Sequence, residues 1–151
     1  MLIFTAKLSR RKLLLALGAV LLAAGAAVLA LRGEPAPEAA VLETNEQRVT
    51  WLESYGWELK AEPVETLQLL LPDNLDETYA AYNRLQREQG MDLSACCGRQ
   101  VTRYTYAVTN YPGHADGVQA NLYLCGGTPV AGDILVAGKD GFRRGLTRPA
   151  G

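Results

Sequence analysis

Residues 101–138, VTRYTYAVTNYPGHADGVQANLYLCGGTPVAGDILVAG, are three short apolar runs divided by turn chemistry. In VTRYTYAVT (101–109), alternate positions place Tyr104, Tyr106 and Val108 on one face. In GVQANLYLC (117–125), Val118, Ala120, Leu122 and Leu124 share one face, with Gln119, Asn121 and Tyr123 on the other. PVAGDILVAG (129–138) is the third run. The joints NYPGHADG and the pair Gly126-Gly127 supply Pro, Asn, Asp and Gly, the residues that tight reversals demand. A period of two broken by short glycine-bearing joints predicts an antiparallel meander.

Working upstream, the period changes. TNEQRVTWLESYG (44–56) has Thr44 as a helix N-cap with Gln47 three residues on, the capping-box pattern, and Gly56 at its end. Val49, Leu52 and Tyr55 recur at helical spacing beside Trp51. The stretch to Pro72 reads as extended, with Leu67, Leu69 and Leu71 alternating with Gln68 and Leu70. DNLDETYAAYNRLQREQG (73–90) is a second helix, capped by Asp73 or Asn74, with arginines in its last turn and Gly90 as its stop. Its expected apolar stripe is Leu75, Tyr79, Tyr82 and Leu85. The order helix, strand, helix, three-strand meander predicts a small α+β domain, its two helices packed on one face of a mainly antiparallel sheet.

The chain before this domain is different in kind. Residues 1–32 hold five basic side chains and no acid, whereas residues 33–151 hold 10 basic and all 16 acidic ones, a net of −6. Residues 13–31, LLLALGAVLLAAGAAVLAL, are 19 uncharged positions, close to the ~20 a helix needs to span hydrocarbon. The run exceeds the usual apolar region of a secretory signal, so Leu13 to Leu31 is expected to be an uncleaved transmembrane signal anchor, with secretion after cleavage as the alternative. The basic flank Lys7, Arg10, Arg11 and Lys12 keeps the N-terminus cytoplasmic and puts residues 33–151 outside. Ser9-Arg10-Arg11 also resembles a twin-arginine export signal, though an arginine pair ahead of an apolar segment is more often plain topogenic charge. The expected division is a basic segment (1–12), the anchor (13–31), a Pro/Ala/Glu spacer (32–43), the α+β domain (44–146) and a tail (147–151). An acidic outer part has no basic face for nucleic acid.

Chemistry is sparse. LSAC (93–96) has the spacing of a lipid-attachment signal, but Cys96 lies too far from the export segment for processing at the membrane face. Three cysteines, Cys96, Cys97 and Cys125, with His114 could number four zinc ligands, yet adjacent strand residues point to opposite faces and rarely converge on one ion. No metal or other cofactor is expected. Outside the cell an oxidised pair is favoured: Cys97 with Cys125, or Cys96 with Cys125. Three unpaired sulfurs are an equal alternative. Asp73, Asp76 and Glu77 lack the glycine and distant glutamate of a calcium loop and read as helix caps. His114 sits in a hydrophilic turn and is expected to be exposed. Cys125 at a strand end, His114 and the pair Arg143-Arg144 resemble the sortase set in kind, but sortases place their histidine much further upstream.

Five segments together point to a family: NEQRVTWLESYGWEL, PVETLQLLLPDNLDETYAAYNRLQREQGMDLS, VTRYTYAVTNYPG, VQANLYL and GFRRGL, in that order over 44–146. They resemble domain of unknown function 4830. The resemblance implies a single extracytoplasmic α+β domain carried behind a signal or anchor in Gram-positive bacteria, with no assigned activity and no catalytic residues. Paired cysteines after DLS depart from the family's pattern, so no family-wide chemistry is expected at Cys96 and Cys97.

The aromatic set Trp51, Tyr55, Trp57, Tyr79, Tyr82, Tyr104, Tyr106, Tyr111 and Tyr123 is mostly core in this reading, and members left exposed suit a protein or glycan partner. The expected function is a membrane-anchored, non-catalytic interaction or sensing module of the cell envelope. The alternative is a cysteine-dependent enzyme or thiol-redox protein using Cys96, Cys97 or Cys125.

Overall fold

A computed structural model describes residues 39–150; the expected transmembrane run 13–31 lies outside them. Helix α1 spans Asn45–Glu53 and strand β1 Glu65–Leu70. Helix α2 (Glu77–Glu88) and a 3-10 turn (Leu93–Cys96) come next. Strands β2 (Gln100–Ala107), β3 (Val118–Cys125), β4 (Thr128–Val136) and β5 (Phe142–Arg144) complete the chain. The five strands form one antiparallel sheet in the order β1-β2-β3-β4-β5. The expected meander is there, lengthened by β5, which lies in GFRRGL and is too short to announce itself by alternation. The β3–β4 joint is a two-residue loop: Cys125 pairs with Thr128, and Gly126 and Gly127 both take positive φ (56° and 83°). That combination is the hairpin turn whose twist matches the strands, and it needs glycine.

The capping box at α1 forms as read. The Gln47 N–H donates to Thr44 Oγ1 (3.2 Å), and the Thr44 N–H donates to Gln47 Oε1 (2.9 Å). At α2 the cap differs. Asp76, not Asp73 or Asn74, accepts from the Tyr79 N–H (2.9 Å). The Gly98 N–H donates to the carbonyls of Leu71 and Pro72 (both 3.2 Å), which holds the preceding segment against the β2 entry and delays the helix.

The two helices pack on opposite faces of the sheet, not on one. On the even-numbered face, Tyr106, Ala120, Leu122 and Ile134 meet Leu52 of α1, Trp57, Tyr111 and Leu146 in one core. On the odd-numbered face, Val101, Cys125 and Ala131 meet Leu93, Cys96, Leu71 and Tyr82 of α2 in a second. Both faces of the three central strands are therefore covered, which explains why Asn121, on the side read as polar, is only 4% exposed. Packing begins at Leu42, inside the expected spacer: it is buried, and its N–H donates to Gly127 O (2.8 Å). At the other end, Arg148 in the expected tail donates to Gly56 O (3.0 Å) and Asn110 O (3.3 Å).

The expected stripe on α2 is also corrected. Tyr79 is exposed, Leu75 and Leu85 are half-buried, and the fully covered residues are Asn83 and Gln86. The reason is an unpaired edge. β5 pairs with β4 only from Ile134 to Val136, leaving the backbone of Gly132 without a strand partner. Gln86 Oε1 accepts from the Gly132 N–H (2.8 Å), and Gln89 Nε2 donates to Gly132 O (3.1 Å). Gln89 Oε1 also accepts from the Leu146 N–H (2.5 Å). Buried backbone groups must find partners, so a polar helix face is what this edge selects. The opposite edge strand, β1, is mostly exposed, with Leu67 and Leu70 in solvent despite their alternation.

Candidate functional site

The odd-numbered face carries a row of polar side chains across three strands: Thr105, Asn121 and Asp133, which the strand register places side by side. Thr105 Oγ1 donates to Asn121 Oδ1 (2.7 Å), and Asn121 Nδ2 donates to Asp133 Oδ1 (2.9 Å). Asp133 has no exposed surface. From α2, the Tyr82 hydroxyl donates to Asp133 Oδ2 (2.6 Å), and from β5 Arg143 Nε stands 3.6 Å from Asp133 Oδ1. A carboxylate this deep is tolerable only when its lone pairs are met and its charge is paired, and both conditions hold.

Beside this row, a cleft of about 240 Å³ opens between α2 and the sheet. Arg103 and Tyr123, register partners on β2 and β3, form its floor; Tyr79 and Tyr82 form its α2 wall; Leu69, Leu71 and Leu93 line the inner side; Arg143 stands at the rim. The rings of Tyr82 and Tyr123 meet edge to face at 6.0 Å. Arg143 lies over the Tyr82 ring, its guanidinium carbon 5.4 Å from the centroid. Arg103 pairs with Glu65 of β1. Burial, reinforced by the Asp133 charge, pushes the Tyr82 hydroxyl far above the usual tyrosine range, and the same causes raise Tyr123. Both therefore stay neutral donors at any physiological pH.

The sulfurs lie at the far end of the same face. Cys96 and Cys125 form a disulfide, Cα to Cα 6.5 Å, and both are buried; Cys97 remains a half-buried free thiol. Cys125 thus belongs to the second core, against the expectation that it need not be core. Cys97 faces a separate hollow shared with Arg84, Arg87 and Asp73. His114 is not the exposed loop residue expected: it is half-buried, packed edge to face on Tyr111 (5.5 Å) and near Phe142 (6.1 Å). It precedes β3 while Cys125 ends it, and eight strand residues hold the two roughly 25 Å apart. That separation and the bonded sulfur do not favour a cysteine nucleophile, which needs its base in hydrogen-bonding reach. Among the described residues, no three His, Cys, Asp or Glu side chains gather as a metal site.

Reading the sequence singled out Tyr79, Tyr82 and Tyr123 as aromatic contact candidates, and the fold brings them together. It missed Arg103, Asp133 and the role of Arg143. The signal available was Arg103 in a strand with aromatic neighbours, but its importance depends on α2 crossing that face. What results is an α+β domain on a five-stranded meander with one aromatic and arginine-lined cleft and no assembled catalytic set among the described residues. Residues 51–134 match the family described as Domain of unknown function (DUF4830), and the chain belongs to that family. No curated protein and no solved structure matches the chain significantly.

Proposed function

We propose that this protein is a membrane-anchored extracytoplasmic domain of the cell envelope that works by binding, as a non-catalytic interaction or sensing module, through the cleft of Tyr79, Tyr82, Tyr123, Arg103 and Arg143. One observation carries the reading: the reactive-looking groups here are spent on one another. Asp133 is fully engaged by Tyr82, Asn121 and Arg143, so it positions aromatic and guanidinium groups and is not free to take a proton from a substrate. Aromatic and arginine side chains held in a concave, partly apolar site are what recognition surfaces use. The uncharged run 13–31 with its basic flank supports anchoring, and the acidic outer part supports an extracytoplasmic position.

The test is made in cells. A photo-crosslinking residue replacing Tyr79, at the exposed lip of the cleft, should capture an envelope protein or glycan, and the same residue replacing exposed Glu46 on α1 should not. Protease added to intact cells should remove residues 39–150 from the anchored chain. Protection of that segment from external protease, or substrate turnover by the purified chain, would overturn the proposal.

A further inference from the structure

The cleft carries a charge that the outer part as a whole lacks. Residues 33–151 have a net charge of −6, yet the charged side chains lining the cleft are two guanidiniums, Arg103 and Arg143, and no carboxylate. The two are held differently. Arg143 is fixed through Nε to fully buried Asp133 and by its stacking on Tyr82, while half of its side chain, 49%, faces solvent. Its two terminal amino groups are left for another acceptor. Arg103 is paired with Glu65, an exposed residue (54%) on the edge strand, and its Nε has no acceptor among the described residues. Surface pairs of that kind are worth little, about 0–1 kcal/mol, so Glu65 is an exchangeable partner while Asp133 is not.

We infer that the cleft binds a small monoanion: a single flat ring bearing one carboxylate. The ring lies among Tyr79, Tyr82, Tyr123, Leu69 and Leu71, and the carboxylate takes Glu65's place between Arg103 and the free amino groups of Arg143. Charge sets the valence. With Glu65 displaced, two guanidiniums face one fixed carboxylate, Asp133, leaving a single positive charge to be met. Planar guanidinium forks fit a planar carboxylate in paired hydrogen bonds. Volume sets the size: about 240 Å³ is below the ~300 Å³ where sites for drug-sized molecules begin, so it admits one ring. This deepens the binding reading of the cleft and rests on it.

The experiment uses the full chain in lipid nanodiscs, titrated with benzoate, its neutral isostere benzamide, and phenyl phosphate, and followed by saturation-transfer NMR on the ligand. Benzoate should bind, benzamide should not, and phenyl phosphate, with its second charge, should bind more weakly than benzoate. Arg143→Gln should weaken benzoate about tenfold or more, the loss expected when a hydrogen bond to a charged group is removed. Glu65→Gln should tighten it about two- to fivefold by releasing Arg103 from its competitor. That gain is the diagnostic arm, because Glu65 is exposed and its loss from a purely structural pair could only weaken the site. Equal binding of benzamide and benzoate, tighter binding of phenyl phosphate, or weaker benzoate binding by Glu65→Gln each overturns the inference. Absence of benzoate binding alongside successful crosslinking at Tyr79 would remove the ligand class and leave the binding function standing.

Discussion

Asp133 illustrates how one residue can organise a face. It satisfies Tyr82 from α2, Asn121 from β3 and Arg143 from β5 while exposing nothing to water. Asp133→Ala leaves a buried hydroxyl, an amide and a guanidinium short of their acceptor, and should cost about 3–5 kcal/mol in urea denaturation. Tyr82→Phe removes one donor and should cost about 1–2 kcal/mol. Next to it, Gly132 allows Leu146 to lie on the sheet: a Cβ there would come within 2.5 Å of Leu146 Cδ1. Gly132→Ala should therefore cost about 1–3 kcal/mol through overpacking, and Leu146→Ala about 2–5 kcal/mol through a cavity. The double variant should cost clearly less than the sum, because the smaller side chain removes the clash, and a double-mutant cycle reads this directly. Additive losses would mean that the two residues do not press on each other. At this scale, legibility follows locality. Thr44 and Gln47 could be read from sequence because a capping box involves four consecutive residues. Asp133 and Gly132 could not, because their partners come from residues 82–89 and 143–146, whose placement depends on the whole topology.

Among the elements, α2 has the most distinctive role, since it closes the β4 edge with glutamines and walls the cleft with tyrosines. Its ends titrate in opposite senses. Asp92, just after the helix, has its carboxyl held far below the usual range, first by the Ser94 hydroxyl and then by the Asn83 amide. A depressed folded pKa contributes stability that is complete above the unfolded value of about 3.9 and is lost as pH falls toward the folded one. Asp92→Asn should therefore flatten the acid limb of a plot of Tm against pH below about pH 4. At the alkaline end the sign reverses. Tyr82 and Tyr123 are raised by burial and by Asp133, so the unfolded chain releases their protons first and stability falls as pH rises past about 10. Absorbance at 295 nm should show a class of tyrosines that ionises only with unfolding. If all titrate together near pH 10 while the fold persists, the buried pair is not as closed as described. The existence of α2 was plain from its acids, arginines and Gly90, but its orientation was not. Tyrosines and leucines at helical spacing pointed to an apolar contact, whereas an unpaired strand edge, invisible in sequence, selected Asn83, Gln86 and Gln89.

For the molecule as a whole, alternation in 101–138 was enough to order β2, β3 and β4, and the joints identified their turns. Whether helices lay on one face or two was not legible, because strands covered on both sides can still carry Thr105, Asn121 and Asp133 in an alternating polar set. The cross-link is a property of this scale as well. Cys96 and Cys125 are separated by 29 positions, and a closed loop of that length stabilises by about 3.5 kcal/mol in the chain-entropy account. Reduction should lower the unfolding free energy by about that amount. Without reductant, alkylation followed by mass analysis should label a single sulfur, Cys97; labelling of three would show that the bond is absent from the purified chain.

The Leu42 contact has a mechanical consequence. The chain enters the fold with the Leu42 N–H donating to Gly127 O, in the turn two residues from Cys125. Any pull on the N-terminal side arrives first at the β3–β4 hairpin, and the covalent bond at its base passes the load to the turn beyond α2. A tug from that end is thus shared between the central strands and the cleft's own wall before a single strand can peel. In single-molecule pulling, the oxidised chain should unfold in two lengths, with the loop between Cys96 and Cys125 withheld until reductant is added.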